Sequence, residues 1–174
     1  MLLDAEKFLG LVDAAPLVAM DLVLVRGGSE ILLGQRNNRP AQGFWFVPGG
    51  RIRKNEPMQQ ALARVAREEL GLDLACLAQE PEHMGAFQHF YGDCFAGDVG
   101  VSTHYVVMGN LVRLPKDALV AVADAQHSAL RWWPLEEAMG SEEVHRFTKD
   151  YVEQLLHAGG YLGKPGIPQV RVLP

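Results

Sequence analysis

Gly50-Arg-Ile-Arg-Lys-Asn-Glu56 and, seven residues further on, Arg64-Val65-Ala-Arg67-Glu68-Glu69-Leu70-Gly71-Leu72 frame the stretch whose reading decides the fold. Asn55 suits a helix N-cap, Glu56 suits the positive end of a helix, and Pro57 fits a first turn. Gly71 suits the position just past a helix C-terminus. The spacing therefore predicts a helix from about Glu56 to Leu70. At about 100° per residue, Met58, Ala61, Leu62 and Val65 fall on one apolar stripe. Glu69 falls in the middle of that stripe, Arg64 and Arg67 point the other way, and Glu68 sits at the edge.

Glu69 is misplaced twice over. It faces the buried side, where an unpaired ion costs several kcal/mol. It also sits near the negative helix end, worth about another 0.3–1 kcal/mol. A bound cation would remove both penalties. Taken alone, however, Glu69 reads first as the end of a solvated last turn or as the partner of a core-facing Arg. Val65 continues the apolar stripe without strain.

The 174 residues suffice for one well-cored domain, here 1–174, with an N-terminal helix in 1–14 and a Gly/Pro-rich tail over 159–174. Hydrophobic content of 48% and charged content of 21% are ordinary for a soluble globular protein. The net charge of −5 argues against a general nucleic-acid binder. No apolar run is long enough for a membrane span, and Met1 to Phe8 lacks the basic segment of a signal peptide. Cys76 and Cys94 lack metal-ligand spacing and read as reduced thiols of a cytoplasmic protein.

Asp4 to Asp13 reads as a short helix capped by Asp4, with Phe8, Leu11 and Val12 inward, ended by Pro16. Leu17 to Val25 is an apolar strand, and Gly27-Gly28-Ser29 turns it into Ile31-Leu-Leu33. Phe44 to Val47 is a short aromatic strand before Pro48-Gly49-Gly50. Met84 to Phe90 and Thr103 to Leu114 form a strand pair around a Gly-rich link. Leu130 to Trp133 is a further strand, and Ser141 to His157 a second amphipathic helix. The pattern is α+β with mixed sheets.

Several polar residues outside the helix stand out. Asp21 interrupts an apolar strand; it could cap a bulge, pair with an Arg, or hydrogen-bond sugar hydroxyls in a cleft, with nothing to choose between these. Arg36, Arg39, Arg51 and Arg53 flank the Gly-Gly turn, and guanidinium groups match phosphate oxygens bidentately. Arg36 and Arg51 are the candidates for neutralising a leaving diphosphate. Gln126-His127 offers a neutral oxygen ligand and a base suited to neutral pH. On sequence chemistry alone that pair reads as an exposed loop. His89 and His104 read by default as satisfied core or rim histidines.

Gly50 to Leu72 nearly matches the Nudix box, Gly-x5-Glu-x7-Arg-Glu-apolar-x-Glu-Glu-x-Gly-apolar, with Val65 where the first Glu after Arg stands. The box turns the reading of Glu69 towards a metal, held with backbone carbonyl, phosphate and water oxygens of the kind that suit Mg²⁺ or Mn²⁺. With one carboxylate fewer, one essential ion per site is expected. Three further segments, Gln88-His-Phe-Tyr91, Thr103-His-Tyr-Val-Val107 and Gln126-His127 before Arg131-Trp132, join Asn38 to Gly50 in a closer likeness. Together these resemble the GDP-mannose mannosyl hydrolase branch of the Nudix superfamily over about residues 1–133.

The resemblance implies an α/β/α sandwich with a mixed β-sheet. It implies hydrolysis of GDP-mannose, with GDP-glucose also in play, to GDP and free hexose by water attack at sugar C1 with inversion. Carried over to matching positions, Mg²⁺ is held by the Gly49 carbonyl, Glu69 and Gln126, and His127 is the general base. Arg36 and Arg51 stabilise departing GDP, with Tyr105 assisting. Asp21 and His89 contact the hexose, and Phe8 the guanine. A homodimer is implied, with the N-terminal segment reaching a neighbour's site. Glu68, where this branch can have a small apolar residue, is either an additional metal ligand or an ion-pair partner of Arg64. The alternatives are a Nudix pyrophosphohydrolase cleaving the P–O–P bond of a nucleotide sugar or NTP, and a non-catalytic nucleotide-binding domain.

Overall fold

The computed structural model describes residues 3–97, 99–117 and 127–160. Helix α1 (Ala5–Ala14) leads into β1 (Leu17–Arg26) and β2 (Glu30–Arg36), then β3 (Trp45–Phe46) and β4 (Gly49–Arg51). Helix α2 (Met58–Leu70) follows, then β5 (Glu82–Tyr91), β6 (Thr103–Leu114), β7 (His127–Pro134), α3 (Leu135–Gly140) and α4 (Arg146–Gly160).

Strand β1 organises the sheet. It pairs parallel with β6 from Leu17↔Tyr105 to Arg26↔Leu114. Its other edge is shared: the hairpin to β2 takes Val25 and Arg26, and antiparallel β4 takes Ala19 to Asp21. Strands β5 and β6 pair antiparallel, as do β2 and β7, so the sheet is mixed. A strand buried on both faces needs a continuous apolar run rather than alternation, and Leu22-Val-Leu-Val25 supplies it. Leu22, Leu24, Leu32 and Val112 meet Val65, Ala66 and Leu70 of α2. Val23, Val25, Ile31, Leu33 and Leu111 meet Phe147, Tyr151 and Val152 of α4 on the opposite face. Helices therefore cover both sheet faces, giving the expected α+β sandwich. Each fully buried Leu or Val here contributes roughly 1.5–3 kcal/mol of apolar burial.

The structure corrects several local expectations. Helix α2 begins at Met58 with Pro57 as its N-cap, not Asn55. Asn55 instead adopts a left-handed turn at φ 64°, and Glu56 Oε2 accepts from the Arg53 amide at 2.8 Å. The turn thus uses Glu56 to close itself rather than to start the helix. Met58 is 50% exposed, because the buried face begins one turn later at Ala61. In α1, capped by Asp4 as expected, Leu11 is exposed and Leu9 takes its place against the small cluster of Val12 and Leu17. The aromatic strand shrinks to Trp45–Phe46, with Phe44 exposed.

The last helix starts at Arg146 rather than Ser141, for a physical reason. Trp45 N donates to Glu143 O at 2.9 Å and His145 N to Trp45 O at 3.1 Å. That strand-like bridge holds residues 143–145 extended and delays the helix. Gly71 closes α2 as expected, at φ 61°, where a side chain would be strained. Residues 161–174, most of the expected tail, lie outside the described residues. Cys76 and Cys94 are both free thiols. Among the described residues, no helix is long and apolar enough to cross a membrane.

Candidate active site

The Gly49-Gly50 turn is where the sheet, the box helix and a buried carboxylate converge. Pairing of β4 with β1 sets Gly49 opposite Asp21 and Gly50 opposite Met20. A Cβ on Gly49 would overlap Asp21 Oδ1 and come 2.9 Å from the Met20 carbonyl. A Cβ on Gly50 would come 3.0 Å from Val65 Cγ2. Each glycine is thus required by a close approach: Gly49 to the Asp21 carboxylate, Gly50 to the helix.

The box carboxylates have different neighbours. Glu56 receives Arg64 bidentately, Nε to Oε1 at 2.6 Å and Nη2 to Oε2 at 2.9 Å. That fork holds the Glu56 carboxyl down to about 2. Arg64 Nη2 also donates to the Arg51 carbonyl at 2.8 Å, tying the helix to the turn. Glu68 accepts from Arg64 Nη1 at 2.8 Å and from Arg53 Nη2 at 3.2 Å. Val65 is 1% exposed and Glu69 4% exposed on the sheet-facing side of α2.

These residues fit a hard divalent cation. Glu69 is a buried carboxylate at the negative end of α2, where a cation is favoured. The Gly49-Gly50 backbone adds oxygen donors of the same hard class. Among the described residues, no group of three His, Cys, Asp or Glu side chains is gathered to hold a metal. Such a donor set leaves much of the coordination to phosphate and water oxygens, which is how Mg²⁺ is usually held. Gln126, the third expected ligand, lies outside the described residues.

A polar cluster lies on the α4 side of the same turn. Asp21 is 6% exposed, and burial pushes its carboxyl up to about 7, against the opposing pull of a Tyr151 hydrogen bond and of Arg36. Tyr151 Oη donates to Asp21 Oδ2 at 2.9 Å. Tyr105 lies within electrostatic range of Arg51, Arg36 and Asp21; burial raises its pKa while the two cations oppose that. Arg36 donates to the Pro40 carbonyl at 3.0 Å and lies 5.9 Å over the Phe46 ring. Arg51 lies 3.8 Å over the Phe8 ring, and Phe8 packs on Phe95 at 4.8 Å. Phe8 therefore reaches the Arg51 side of the turn of its own chain.

His89 is 2% exposed and stacks on Phe147, ring centroids 4.3 Å apart. Burial, reinforced by His145 and Arg146, draws its pKa down to about 3. The ring is neutral across the physiological range and cannot serve there as a cationic acid. Its Nε2 is buried without a hydrogen-bond partner, as is Nε2 of His104, so neither is the satisfied histidine that sequence suggests by default. A donor or acceptor left this way is costly unless a ligand group completes it.

The structure therefore brings together Asp21, Arg36, Arg51, Tyr105 and Gly49, with Phe8 on Arg51 and His89 beside Phe46 and Phe147. Strand β7 begins at His127, whose backbone pairs opposite Arg36. Sequence reasoning missed Tyr151, His145 and Arg146. A cleft of about 440 Å³ beside the cluster is lined in part by Arg39, Phe44, Tyr91, His145 and Arg146. Phe147 and Tyr151 recur at helical spacing, so their burial was legible, but nothing local marked the Tyr151 hydroxyl as aimed at Asp21.

Comparison with known proteins agrees with this fold. A model of the NUDIX domain matches residues 15–155. The Low-salt glycan biosynthesis protein Agl8 of Haloferax volcanii is 37% identical over 150 residues, covering 86% of this chain and 88% of that protein. Among solved structures, a MutT NUDIX hydrolase of Burkholderia pseudomallei is 27% identical, with a TM-score of 0.63 over 80% of this chain and 98% of that one. The NUDIX domain of Shewanella oneidensis NrtR, solved with ADP ribose, shares the fold at 21% identity and a TM-score of 0.63, over 89% of this chain and 98% of that one.

Proposed function

The chain belongs to the NUDIX family, and from that premise we propose that it hydrolyses GDP-mannose, and GDP-glucose with it, to GDP and free hexose. Water attacks C1 of the sugar, and the C1–O bond to GDP breaks. The electron pair leaves on the β-phosphate oxygen, and the water proton passes to His127. The carrying observation is Val65. It is 1% exposed against Gly50, so a metal ligand of the Nudix box is replaced by core packing. Glu68 is engaged by Arg53 and Arg64, which supports the ion-pair role over a further metal site. A site with few carboxylates suits one ion, Mg²⁺ or Mn²⁺, held by Glu69, the Gly49 carbonyl and Gln126. When bound, that ion would neutralise diphosphate charge and stabilise GDP as a leaving group.

The chain's own residues have complementary tasks. Arg36 and Arg51 present guanidinium charge to the diphosphate, and Tyr105 lies within electrostatic range of both and of Asp21. No acid is needed for a leaving group already neutralised, so one base opposite the leaving group suffices for inversion. Asp21 and the neutral His89 offer hydrogen bonds to hexose hydroxyls, and Phe8 a face to guanine. The Haloferax relative's name connects it with glycan biosynthesis, whose building blocks are nucleotide sugars. A cytoplasmic homodimer completes the proposal.

Turnover in ¹⁸O-water tests it. Label in the free hexose is expected. Label in GMP or hexose phosphate would instead establish pyrophosphohydrolase chemistry. His127→Ala is expected to lower kcat by about 10²–10⁴-fold, and an unchanged kcat would remove the base from the mechanism.

A further inference from the structure

Helix α4 delivers one hydroxyl to the buried end of the site, and nothing else about Tyr151 requires it. The ring is 0% exposed and packs edge-on to Phe87 at 4.5 Å. Gly109 of β6 is hollowed out for it: a Cβ there would come 2.9 Å from Tyr151 Cε1 and 3.0 Å from Phe87 Cε2. A Phe ring would satisfy all of that packing. The hydroxyl, however, crosses to Asp21 Oδ2 at 2.9 Å, spanning 130 residues of chain. The other oxygen, Oδ1, lies against Gly49. The carboxylate is thereby clamped between a helix from the end of the domain and the turn that carries the diphosphate chemistry.

From this clamp we infer that Tyr151 is a positioning residue for hexose recognition: it fixes the rotation of the Asp21 carboxylate, so that Oδ1 is presented to a sugar hydroxyl. This rests on the reading of Asp21 as a hexose contact. A carboxylate has about four acceptor positions and rotates freely unless its oxygens are distinguished. In this structure the distinction comes from the Tyr151 donor on one side and the absent Cβ of Gly49 on the other. The bond to the Asp21 carboxylate explains why the ring is Tyr rather than Phe in an otherwise apolar cluster.

Tyr151→Phe removes the hydroxyl and keeps the ring. The expected result is a fall of about 10–100-fold in kcat/KM for the GDP-hexose, from a misplaced contact remote from the reacting bond. Inhibition by GDP, which has no hexose, is expected to stay within twofold, and the melting temperature within a few degrees. In an Asp21→Ala background, where the hydroxyl has no carboxylate to hold, Tyr151→Phe is expected to add less than about twofold. Equal losses in GDP-hexose turnover and GDP affinity, or no loss in either, would overturn the inference. So would a full Tyr151→Phe effect persisting without Asp21. Product identity is scored separately on the unmodified protein: release of GMP refutes the glycosyl-hydrolase reading, while the split between hexose and GDP still judges Tyr151.

Discussion

Replacing His89 with Phe isolates the cost of burying a neutral histidine. In the folded protein the His89 pKa falls from 6.5 to about 3, with burial the main cause. A depressed folded pKa contributes stability that is present above the unfolded pKa and lost as pH falls through the folded value. Here the window runs from 6.5 down to about 3. At 1.36 kcal/mol per pH unit, acidification from pH 7 to pH 5 costs the wild-type protein about 2 kcal/mol through this one residue. Asp21 works in the opposite direction. Its pKa rises from 3.8 to about 7, so its contribution is full below 3.8 and is lost as pH rises through 7. The two groups largely offset each other in the wild type, so a single pH profile would conceal both. His89→Phe keeps an aromatic ring against Phe147 and discards the unsatisfied Nε2. At pH 7 the variant should be more stable than the wild type by up to about 1–3 kcal/mol, since an unpartnered buried nitrogen is lost. Between pH 7 and pH 5 it should gain about 2 kcal/mol on the wild type. Urea denaturation followed by tryptophan fluorescence, at pH 7, 6 and 5, measures the difference. Parallel wild-type and variant profiles would refute the reasoning, because they would mean that His89 protonates without hindrance in the folded state.

Three further substitutions probe the rest of the site. Gly49→Ala should turn the Asp21 carboxylate away and lower kcat/KM by about 10²-fold, at a stability cost of about 1–3 kcal/mol; unchanged kinetics would show that Oδ1 has room to spare. Arg64→Ala removes the fork on Glu56, the tie to the Arg51 carbonyl and one of two partners of Glu68. It should destabilise the fold by about 2–4 kcal/mol by denaturant titration, since a partly buried charge loses its partner. Val65→Glu restores the missing box carboxylate at a site 1% exposed. Without metal it should cost about 3–5 kcal/mol; titration with Mn²⁺ should recover part of that loss and raise the bound metal above one ion per chain, and a variant indifferent to Mn²⁺ would show that residue 65 cannot reach a metal.

What was legible in the sequence follows from chain separation. The box helix and the burial of Val65 are set within one stretch of chain and follow from periodicity, and the αL stop follows from the glycine at 71. Glu69 falls on the same stripe, yet a carboxylate there reads first as solvated or paired, so its burial needed the structure. The continuous apolar run of β1 likewise announces a strand covered on both faces. Boundaries set by distant partners were not legible. Residues 143–145 carry no local bar to helix; Trp45, a hundred residues away, holds them extended. Met58 sits correctly on the stripe but one turn before the sheet reaches it.

The same rule separates the two halves of the candidate site. The box side is compact in sequence: Arg51, Arg53, Glu56, Arg64 and Glu68 are interlinked by hydrogen bonds that span at most 15 residues. The Asp21 side is assembled from β1, β2, β4, β6 and α4, and its decisive bond joins residues 21 and 151. This division has a functional consequence. A compact, self-contained box turn and helix can be kept while the distant elements vary, and it is those elements that surround the carboxylate proposed to read the sugar. Specificity for the hexose should therefore respond to substitutions in α4 and β6, at Tyr151 and Gly109, more than to substitutions within the box. A panel of GDP-hexoses tested on Tyr151→Phe and Arg53→Ala decides the matter. The first should change the ratio of kcat/KM between hexoses, and the second should lower all of them alike; the reverse pattern would place sugar discrimination in the box turn.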